Sequence, residues 1–268
     1  MSVIPTNEWL HEIMEIQKLV PKRNIYELQR SIICNRLIEI FIEIFNNGNP
    51  EEIQFELQQQ GLYLPHENLA IQKLEKQNVW LIVQEEFNYL KEKWNGPNVP
   101  IYILPITQEQ TMTKKNGTAY PNAIFLFVGE LKKQELRALF AHEYNHVCRL
   151  HCINKSLNEV TLLDSLVLEG LAECAVEEIY GDEWLTPWLG NYSMEKMLEI
   201  WKKYFLPQMN SEGLAHHGEF LYGGKLPQWV GYCIGYEIVR TYIKNHSSNK
   251  LLSKDSKEIL TGSDFPLQ

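Results

Sequence analysis

The sequence predicts a mostly helical α+β protein with one small mixed or antiparallel sheet. Over most of the first 94 positions, apolar residues recur at three- and four-residue spacing, which is the periodicity of amphipathic helices. Two short apolar runs, VPIYILPI and YPNAIFLFVGE, follow the loop NGPNVP and are typical of strands. Further helical patterns fill the rest of the chain. We therefore expect a helical N-terminal region at residues 1–96 and an α+β domain at residues 97–268.

The N-terminal region is expected to contain a series of helices. The first covers residues 8–19 and ends before Pro21, and the second covers residues 25–45 and ends at NNGNP. Within the second, IEIFIEIF alternates at period two like a strand, but the good helix formers before it favour a helix. Residues 50–60 and 67–94 are the remaining helix candidates.

In the second region, the connection TQEQTMTKKNGTA joins the two predicted strands like a long hairpin loop. A helix containing LKKQELRALFAHEYNHVCRLHC follows. The next helix has clear ends, since Thr161 and Asp164 fit a capping box and Gly181 fits a helix stop. Later helices are expected at residues 184–205, with interruptions at Pro187 and Gly190, at residues 229–244 and near residues 254–260.

Composition narrows the class of protein. Hydrophobic residues make up 44% and charged residues 22%, as in ordinary soluble globular proteins. The net charge is −9 without a basic patch, so nucleic acid is not an expected partner. No apolar run approaches the ~18 residues of a membrane span, and the N-terminus lacks the pattern of a signal peptide. The five cysteines are an odd number without disulfide-like spacing. We therefore expect a cytoplasmic protein.

The clearest functional signal is the pentapeptide His142-Glu143-Tyr144-Asn145-His146, which reads H-E-x-x-H. On a helix, positions i and i+4 lie on the same face. Two imidazoles at this spacing can bind one metal ion, and Glu143 lies at the flank of the same site as a general base. The pattern predicts the central helix of a zinc-hydrolase site. The competing interpretation is a solvated helix face with two unrelated histidines.

Two cysteines close behind the motif raise the alternative of a structural or redox zinc site. At about 100° per residue, His142 and His146 lie within about 40° of each other, whereas Cys148 and Cys152 point to the far side. We therefore interpret both cysteines as small core residues. Arg149 falls near the histidine face, either as a solvated arginine or as a charge partner for a carboxylate beside the metal.

A catalytic zinc needs three protein ligands and one open position. The metzincin extension H-E-x-x-H-x-x-G-x-x-H fails, because Arg149 and Cys152 occupy its glycine and histidine positions. The segment EGLAE at residues 169–173 instead resembles the E-x-x-x-[DE] pattern of gluzincins, the thermolysin-like zinc peptidases. There the first acid binds metal, and the second accepts a hydrogen bond from a ligand histidine. We therefore expect these roles for Glu169 and Glu173, against the alternative of an amphipathic helix with outward acids.

Three segments, HEYNHVCRL, LDSLVLEGLAE and PQWVGYCIGYEIV, together resemble the Bacillus YjaZ-like family of predicted zinc-dependent proteases. The resemblance extends over residues 118–243, which is about half of the chain. It implies a zincin-like (gluzincin) catalytic domain. It also implies zinc ligation by His142, His146 and Glu169, with Glu143 as the catalytic base.

The likeness to gluzincins also suggests where substrate binds. In that class the edge strand just before the zinc helix binds a peptide by adding it as a β-strand. Asn122-Ala123, at the start of the second predicted strand, resembles the asparagine–alanine pattern found at that edge. Both residues are therefore candidates for substrate binding. An ordinary buried strand with a surface asparagine is the alternative.

A group that stabilises the oxyanion is expected from the C-terminal part of the chain. The tetrahedral intermediate of peptide hydrolysis needs a hydrogen-bond donor in addition to the metal. Tyr232, in the helical segment GYCIGYEIV, is the first choice, and Tyr236 lies one helical turn further on. Tyr222, His216 and His217 are loop candidates.

These observations lead to the hypothesis of a zinc metallopeptidase with one Zn²⁺ per chain and a peptide or protein substrate. Glu143 would take a proton from water and deliver it to the leaving amine. One alternative is a zinc-containing regulatory or interaction protein without turnover, against which the intact Glu143 argues. The other is a zinc hydrolase of a small non-peptide amide, which a narrow cleft would favour.

Overall fold

The computed structural model describes residues 2–68, 71–109, 114–213, 216–243 and 248–267. These residues are mostly helical and include one three-stranded mixed sheet, which confirms the predicted α+β class. The chain forms two compact units, Met1–Val147 and Cys148–Gln268. Within the described part of the chain, no helix combines the length and the apolar character needed to cross a bilayer.

In the described part of the first unit, six α-helices precede the three strands in the sequence and one α-helix follows them. In order these elements are α1 (Thr6–Gln17), α2 (Ile25–Ile32), α3 (Ile38–Phe45), α4 (Pro50–Gln59), α5 (Ile71–Lys76), α6 (Val79–Trp94), β1 (Ile101–Pro105), β2 (Lys115–Tyr120), β3 (Ala123–Val128) and α7 (Lys133–Ile153). The division between the two units falls inside α7.

Two predicted helices are divided in the structure. A 3₁₀ turn at Cys34–Leu37 separates α2 from α3, so residues 25–45 are not one helix. The segment IEIFIEIF is helical, as predicted. Between α5 and α6 the helix is interrupted at Asn78, whose φ of 54° lies in the left-handed region. Asparagine tolerates this conformation better than most residues, so the break has a local cause.

The sheet differs from the prediction in its connectivity. Its strand order is β1-β3-β2, with β1 parallel to β3 and β2 antiparallel to it. The two predicted strands, β1 and β3, are therefore not a hairpin, and the connection between them contributes β2. Part of that connection, residues 110–113, lies outside the described residues. The prediction that residues 122–125 form an edge is wrong, because β3 is paired on both sides.

The helices of the N-terminal region and the sheet share one apolar core. Leu10 of α1, Phe41 of α3 and Leu57 of α4 belong to the same buried cluster as Tyr102 and Phe125 of the sheet. The rings of Phe41 and Phe125 meet edge to face at 5.8 Å. The predicted domain boundary near residue 97 lies within this unit and stays a prediction.

The second unit is built around α8 (Leu162–Tyr180), followed by α9 (Met194–Ile200), α10 (Gly218–Leu221), α11 (Val230–Ile243) and α12 (Ser256–Thr261). Helices α8 and α11 approach closely at two glycines. A Cβ atom on Gly170 would lie 2.1 Å from the carbonyl oxygen of Gly235, and one on Gly235 would lie 2.2 Å from that of Leu166. Side chains at these positions would force the helices apart, so both glycines are needed for this contact.

A buried polar network fixes the start of α8. Thr161 and Asp164 form the predicted capping box. The Asp164 carboxylate also accepts hydrogen bonds from Lys155 Nζ at 2.6 Å and from Ser256 Oγ at 2.5 Å. Arg149, only 1% exposed, donates to the same Ser256 hydroxyl at 2.9 Å. The network ties the N-terminus of α8 to that of α12.

Burial and hydrogen bonding shift the pKa values of Arg149 and Asp164 in this network. Burial lowers the pKa of the Arg149 guanidinium to about 10, and the nearby Asp164 carboxylate opposes that shift. Burial acts to raise the pKa of Asp164, but hydrogen bonds from Lys155, Ser256 and Thr161 outweigh it and hold the pKa below its usual value. Asp164 therefore stabilises the folded chain in its charged form.

We expect Asp164→Ala to lower the free energy of unfolding by about 1–3 kcal/mol, because it removes a helix cap and leaves buried donors unpaired. Asp164 has a lowered folded-state pKa. Its contribution should be present above the unfolded pKa of about 4 and disappear as the pH falls through the lowered value. Urea unfolding measured at neutral and acidic pH tests both points. Asp182→Ala, at an exposed position, is the control. Equal stability of the two variants at neutral pH would contradict the expectation.

Candidate metal centre

Helix α7 presents the two motif histidines on one face. The ring centroids of His142 and His146 are 4.5 Å apart, and the ring planes are nearly perpendicular at 85°. His146 is 7% exposed, and His142 is only partly buried. The i, i+4 spacing predicted this juxtaposition. One nitrogen from each ring can therefore approach a common point.

The opposite face of α7 is anchored by Tyr144. Its hydroxyl donates to the carbonyl oxygen of Pro97 at 2.9 Å, and its ring stacks on Phe140 at 5.7 Å and on Trp94 at 5.9 Å. At about 100° per residue, Tyr144 points roughly 160° away from His146. These contacts therefore fix the rotation of the helix about its axis, and with it the direction of the imidazoles.

Helix α8 supplies a carboxylate to the same place. One nitrogen each of His142 and His146 and one carboxylate oxygen of Glu169 all lie within 4.8 Å of one another. Among the described residues, no other group of histidines, cysteines and acids meets this criterion. Two imidazoles and one carboxylate form a frequent ligand set of catalytic zinc, and they leave a fourth position open. The donor set therefore fits a zinc ion.

The general-base candidate Glu143 lies against strand β2. It is 6% exposed. A Cβ atom on Gly117 of β2 would lie 2.5 Å from the Cγ, Cδ and Oε1 atoms of Glu143. Any side chain at position 117 would therefore overlap the carboxylate. Gly117 is not recognisable as a site residue from the sequence, since a lone glycine in NGT indicates a turn as readily as a close approach.

Within the segment EGLAE of α8, Glu173 is more deeply buried than Glu169. Glu169 is 6% exposed and Glu173 is 1% exposed. One oxygen of Glu173 accepts a hydrogen bond from the backbone N–H of Thr186 at 3.2 Å. This contact orients the carboxylate from the chain segment that follows α8. The expected bond from a ligand histidine to Glu173 stays a prediction.

Tyr232 lies on α11 among other aromatic side chains. Its ring centroid is 5.6 Å from that of Trp229 and 5.9 Å from that of Trp188. The alternative Tyr236 donates instead to Glu177 Oε2 at 2.8 Å, and burial together with this carboxylate raises its pKa. Tyr232 is partly exposed, whereas Tyr236 is buried.

The two loop histidines have different surroundings. His216 is exposed. His217 is fully buried, with its Nδ1 2.8 Å from Ser165 Oγ and its Nε2 3.0 Å from the carbonyl oxygen of Ser211. Burial lowers the pKa of His217. With both ring nitrogens hydrogen-bonded, His217 holds the loop to α8.

The residues expected to bind substrate lie away from the sheet edge. Ala123 is fully buried at the start of the central strand β3. Asn122 lies in the turn before it, and its side-chain amide donates to Glu43 Oε2 at 2.8 Å. The outer strands are β1 and β2, each of which pairs with β3 alone among the described strands.

Of three other residues near the motif, one agrees with its prediction and two do not. Cys148 is buried, as predicted, whereas Cys152 is exposed. Arg149 is neither solvated nor paired with a carboxylate beside the histidines. Its Nη1 donates to the carbonyl oxygens of Leu251 at 3.1 Å and Leu252 at 2.8 Å. Its side chain therefore organises the segment before α12.

A largely buried His-His-Glu group with a neighbouring glutamate can hold a zinc ion beside a general base. The chain belongs to the family described as "Predicted Zn-dependent protease", which matches residues 79–261. It is 35% identical over 182 residues to YjaZ, an uncharacterised protein of Bacillus subtilis (strain 168), and the match covers 65% of this chain and 70% of YjaZ. YjfC of the same organism, also uncharacterised, is 26% identical over 141 residues, 46% of each chain. No solved structure matches.

We expect the purified protein, prepared without a histidine tag, to hold about one zinc ion per chain. His146→Ala and Glu169→Ala should each lose most of it, because two remaining ligands bind zinc far more weakly than three. Metal content by mass spectrometry is the measurement. His151→Ala removes an exposed histidine of the same helix and is the matched control. Full zinc occupancy in Glu169→Ala would remove Glu169 from the ligand set.

Gly117→Ala is expected to destabilise the protein, because the new methyl group overlaps the Glu143 side chain. The loss should be much smaller in the Glu143→Ala background, where the overlapping atoms are absent. Thermal unfolding of the four proteins of this double-mutant cycle measures the coupling. Equal destabilisation in both backgrounds would mean that Gly117 and Glu143 do not meet.

Proposed function

We propose that this protein is a zinc-dependent peptidase. The observation that carries the proposal is the convergence of His142, His146 and Glu169 within 4.8 Å, with Glu143 next to the first ligand on the same helix. Membership in a family of predicted zinc-dependent proteases supports it. A site that only bound metal would have no need of Glu143 at this position.

His142, His146 and Glu169 would hold the zinc ion. When bound, zinc supplies a Lewis acid that polarises a carbonyl group and lowers the pKa of water to about 7. Glu143 accepts the proton of the attacking water on its carboxylate and then donates it to the leaving amine. A carboxylate is suited to both steps because it can bind and release one proton within the same site. Strand β2 passes close to the Glu143 side chain at Gly117, where the absence of a side chain leaves room for the carboxylate.

Strand β2 offers the backbone to bind an extended peptide. Gly129 N–H donates to the Lys114 carbonyl oxygen at 2.8 Å, and the antiparallel register continues from Lys115 to Tyr120. In such a ladder every second residue directs its backbone groups away from its partner strand. Here those residues are Lys115, Gly117 and Ala119. A peptide added along this edge would pass beside Glu143, because Gly117 is in contact with that side chain.

Tyr232 and Glu173 complete the proposed machinery. The Tyr232 hydroxyl would donate to the developing oxyanion, which needs a hydrogen-bond donor fixed before the reaction. Glu173, oriented by the Thr186 N–H, would accept a hydrogen bond from a ligand histidine and set its tautomer. The edge of β2 favours peptides over small amides, since a small amide has no main chain to pair with a strand.

We expect Glu143→Gln to keep its zinc and to lose peptide hydrolysis by about 10²-fold or more, in line with the usual contribution of a general base. The change preserves shape and removes the proton acceptor. Turnover of a fluorogenic peptide library, with zinc content measured on the same samples, tests this. The control is Glu195→Gln in α9. Hydrolysis by the zinc-loaded Glu143→Gln variant at the wild-type rate would overturn the proposed role of Glu143.

A further inference from the structure

Four aromatic side chains of the second unit form a continuous group, here called the aromatic cluster: Trp188, Tyr222, Trp229 and Tyr232. The rings of Trp188 and Trp229 are stacked with centroids 4.1 Å apart and planes inclined by 11°. Tyr222 meets Trp229 at 5.8 Å and Tyr232 at 6.0 Å. Tyr222 is 50% exposed, and the other three rings are partly exposed. The cluster therefore presents an aromatic surface to solvent rather than filling the core.

Two features of the aromatic cluster are unfavourable for stability. Trp229 has a φ of 62°, in the left-handed region that a bulky residue rarely adopts. The indole Nε1 of Trp188 is buried and has no hydrogen-bond partner in the described part of the chain. Backbone strain and unsatisfied buried groups concentrate at functional sites, where geometry matters more than local stability.

The segment that carries Trp188 is hydrogen-bonded to α8 and α11, the helices that carry Glu173 and Tyr232. Trp188 lies two residues after Thr186, whose N–H binds Glu173 on α8. The carbonyl oxygen of Trp188 accepts a hydrogen bond from the Cys233 thiol of α11 at 3.2 Å. Tyr232, the proposed oxyanion donor, contributes one of the four rings. One short segment thus joins the helix that carries Glu169 to the aromatic surface.

We propose that the aromatic cluster is a specificity subsite that binds an aromatic or large aliphatic side chain of the peptide substrate. The proposal rests on the proposed peptidase function and adds the class of substrate to it. Stacked and edge-to-face rings interact favourably with a further ring or aliphatic group inserted among them. A carboxylate side chain would have to lose hydration at such a surface without gaining a partner, since the faces of the rings carry partial negative charge.

The size of the surface favours a single side chain over a partner protein. Only Tyr222 is exposed by half, and the remaining rings largely cover one another. A stable interface between two chains needs roughly 800 Å² from each partner. Four mutually packed rings expose far less than that. The patch is matched to one large side chain of a peptide.

The test uses full-length, zinc-loaded protein with Glu143→Gln, so that binding is measured without turnover. The probes are acetylated and amidated octapeptide mixtures in which one position at a time is fixed as Phe, Leu, Ala or Asp. We expect one position at which Phe or Leu binds on the order of tenfold more tightly than Asp, as burial of a large apolar side chain implies. Tyr222→Ala and Trp188→Ala should reduce this preference to less than about threefold.

Tyr204→Ala is the matched control, since Tyr204 is 41% exposed in the same unit and lies outside the aromatic cluster. Tyr222→Ala truncates an exposed side chain, and its circular dichroism and unfolding midpoint establish that it is folded. Trp188→Phe keeps a ring and should retain most of the preference. If no position prefers an apolar residue, or if the preference survives in both Tyr222→Ala and Trp188→Ala, the subsite proposal is wrong.

Hydrolysis of the same peptides by the wild-type protein separates the two proposals. Cleavage without any apolar preference would support the peptidase and reject the subsite. Apolar binding that depends on Tyr222 and Trp188, without cleavage of any peptide, would support the aromatic cluster as a peptide-binding site and reject the peptidase. Cleavage next to the preferred apolar residue, lost together with that preference in Tyr222→Ala, would support both.

Discussion

The rotation of helix α7 about its axis is the constraint on which the rest of the candidate site depends. The i, i+4 spacing places His142 and His146 together on any helix, but it does not decide which way they point. Tyr144 does so, because its hydroxyl binds Pro97 and its ring is stacked between other aromatic rings on the opposite face. The imidazole pair is therefore held by packing on the far side of the helix as well as by its own spacing.

Buried charge is the main energetic problem of the site. Glu143, Glu169 and Glu173 are each at least nine-tenths buried. Ionised carboxylates in a protein interior need compensating charge or hydrogen bonds. A divalent cation held by the histidines and Glu169 would supply positive charge where it is needed. The backbone N–H of Thr186 supplies part of the compensation for Glu173.

Three glycines position the site as much as the ligand residues do, because they allow close approach of neighbouring segments. Gly170 and Gly235 let α8 and α11 approach until backbone meets backbone, which fixes the helix that carries Glu169 against the helix that carries Tyr232. Gly117 lets strand β2 approach the carboxylate of Glu143. The buried network of Arg149, Asp164 and Ser256 sets the start of α8. These contacts explain how a small ligand set is positioned without a large sheet.

The local features could be predicted from the sequence: the helix with the two histidines, the capping box at Thr161, and the acid at position 169 as a candidate ligand. These follow from spacing within one helix, and nearby residues along the chain decide them. The central place of β3 between β1 and β2, and the contact of Gly117 with Glu143, are visible only in the folded structure. Strand order and close approach depend on which distant segments pair, and the local pattern of a strand is the same at an edge as in the middle.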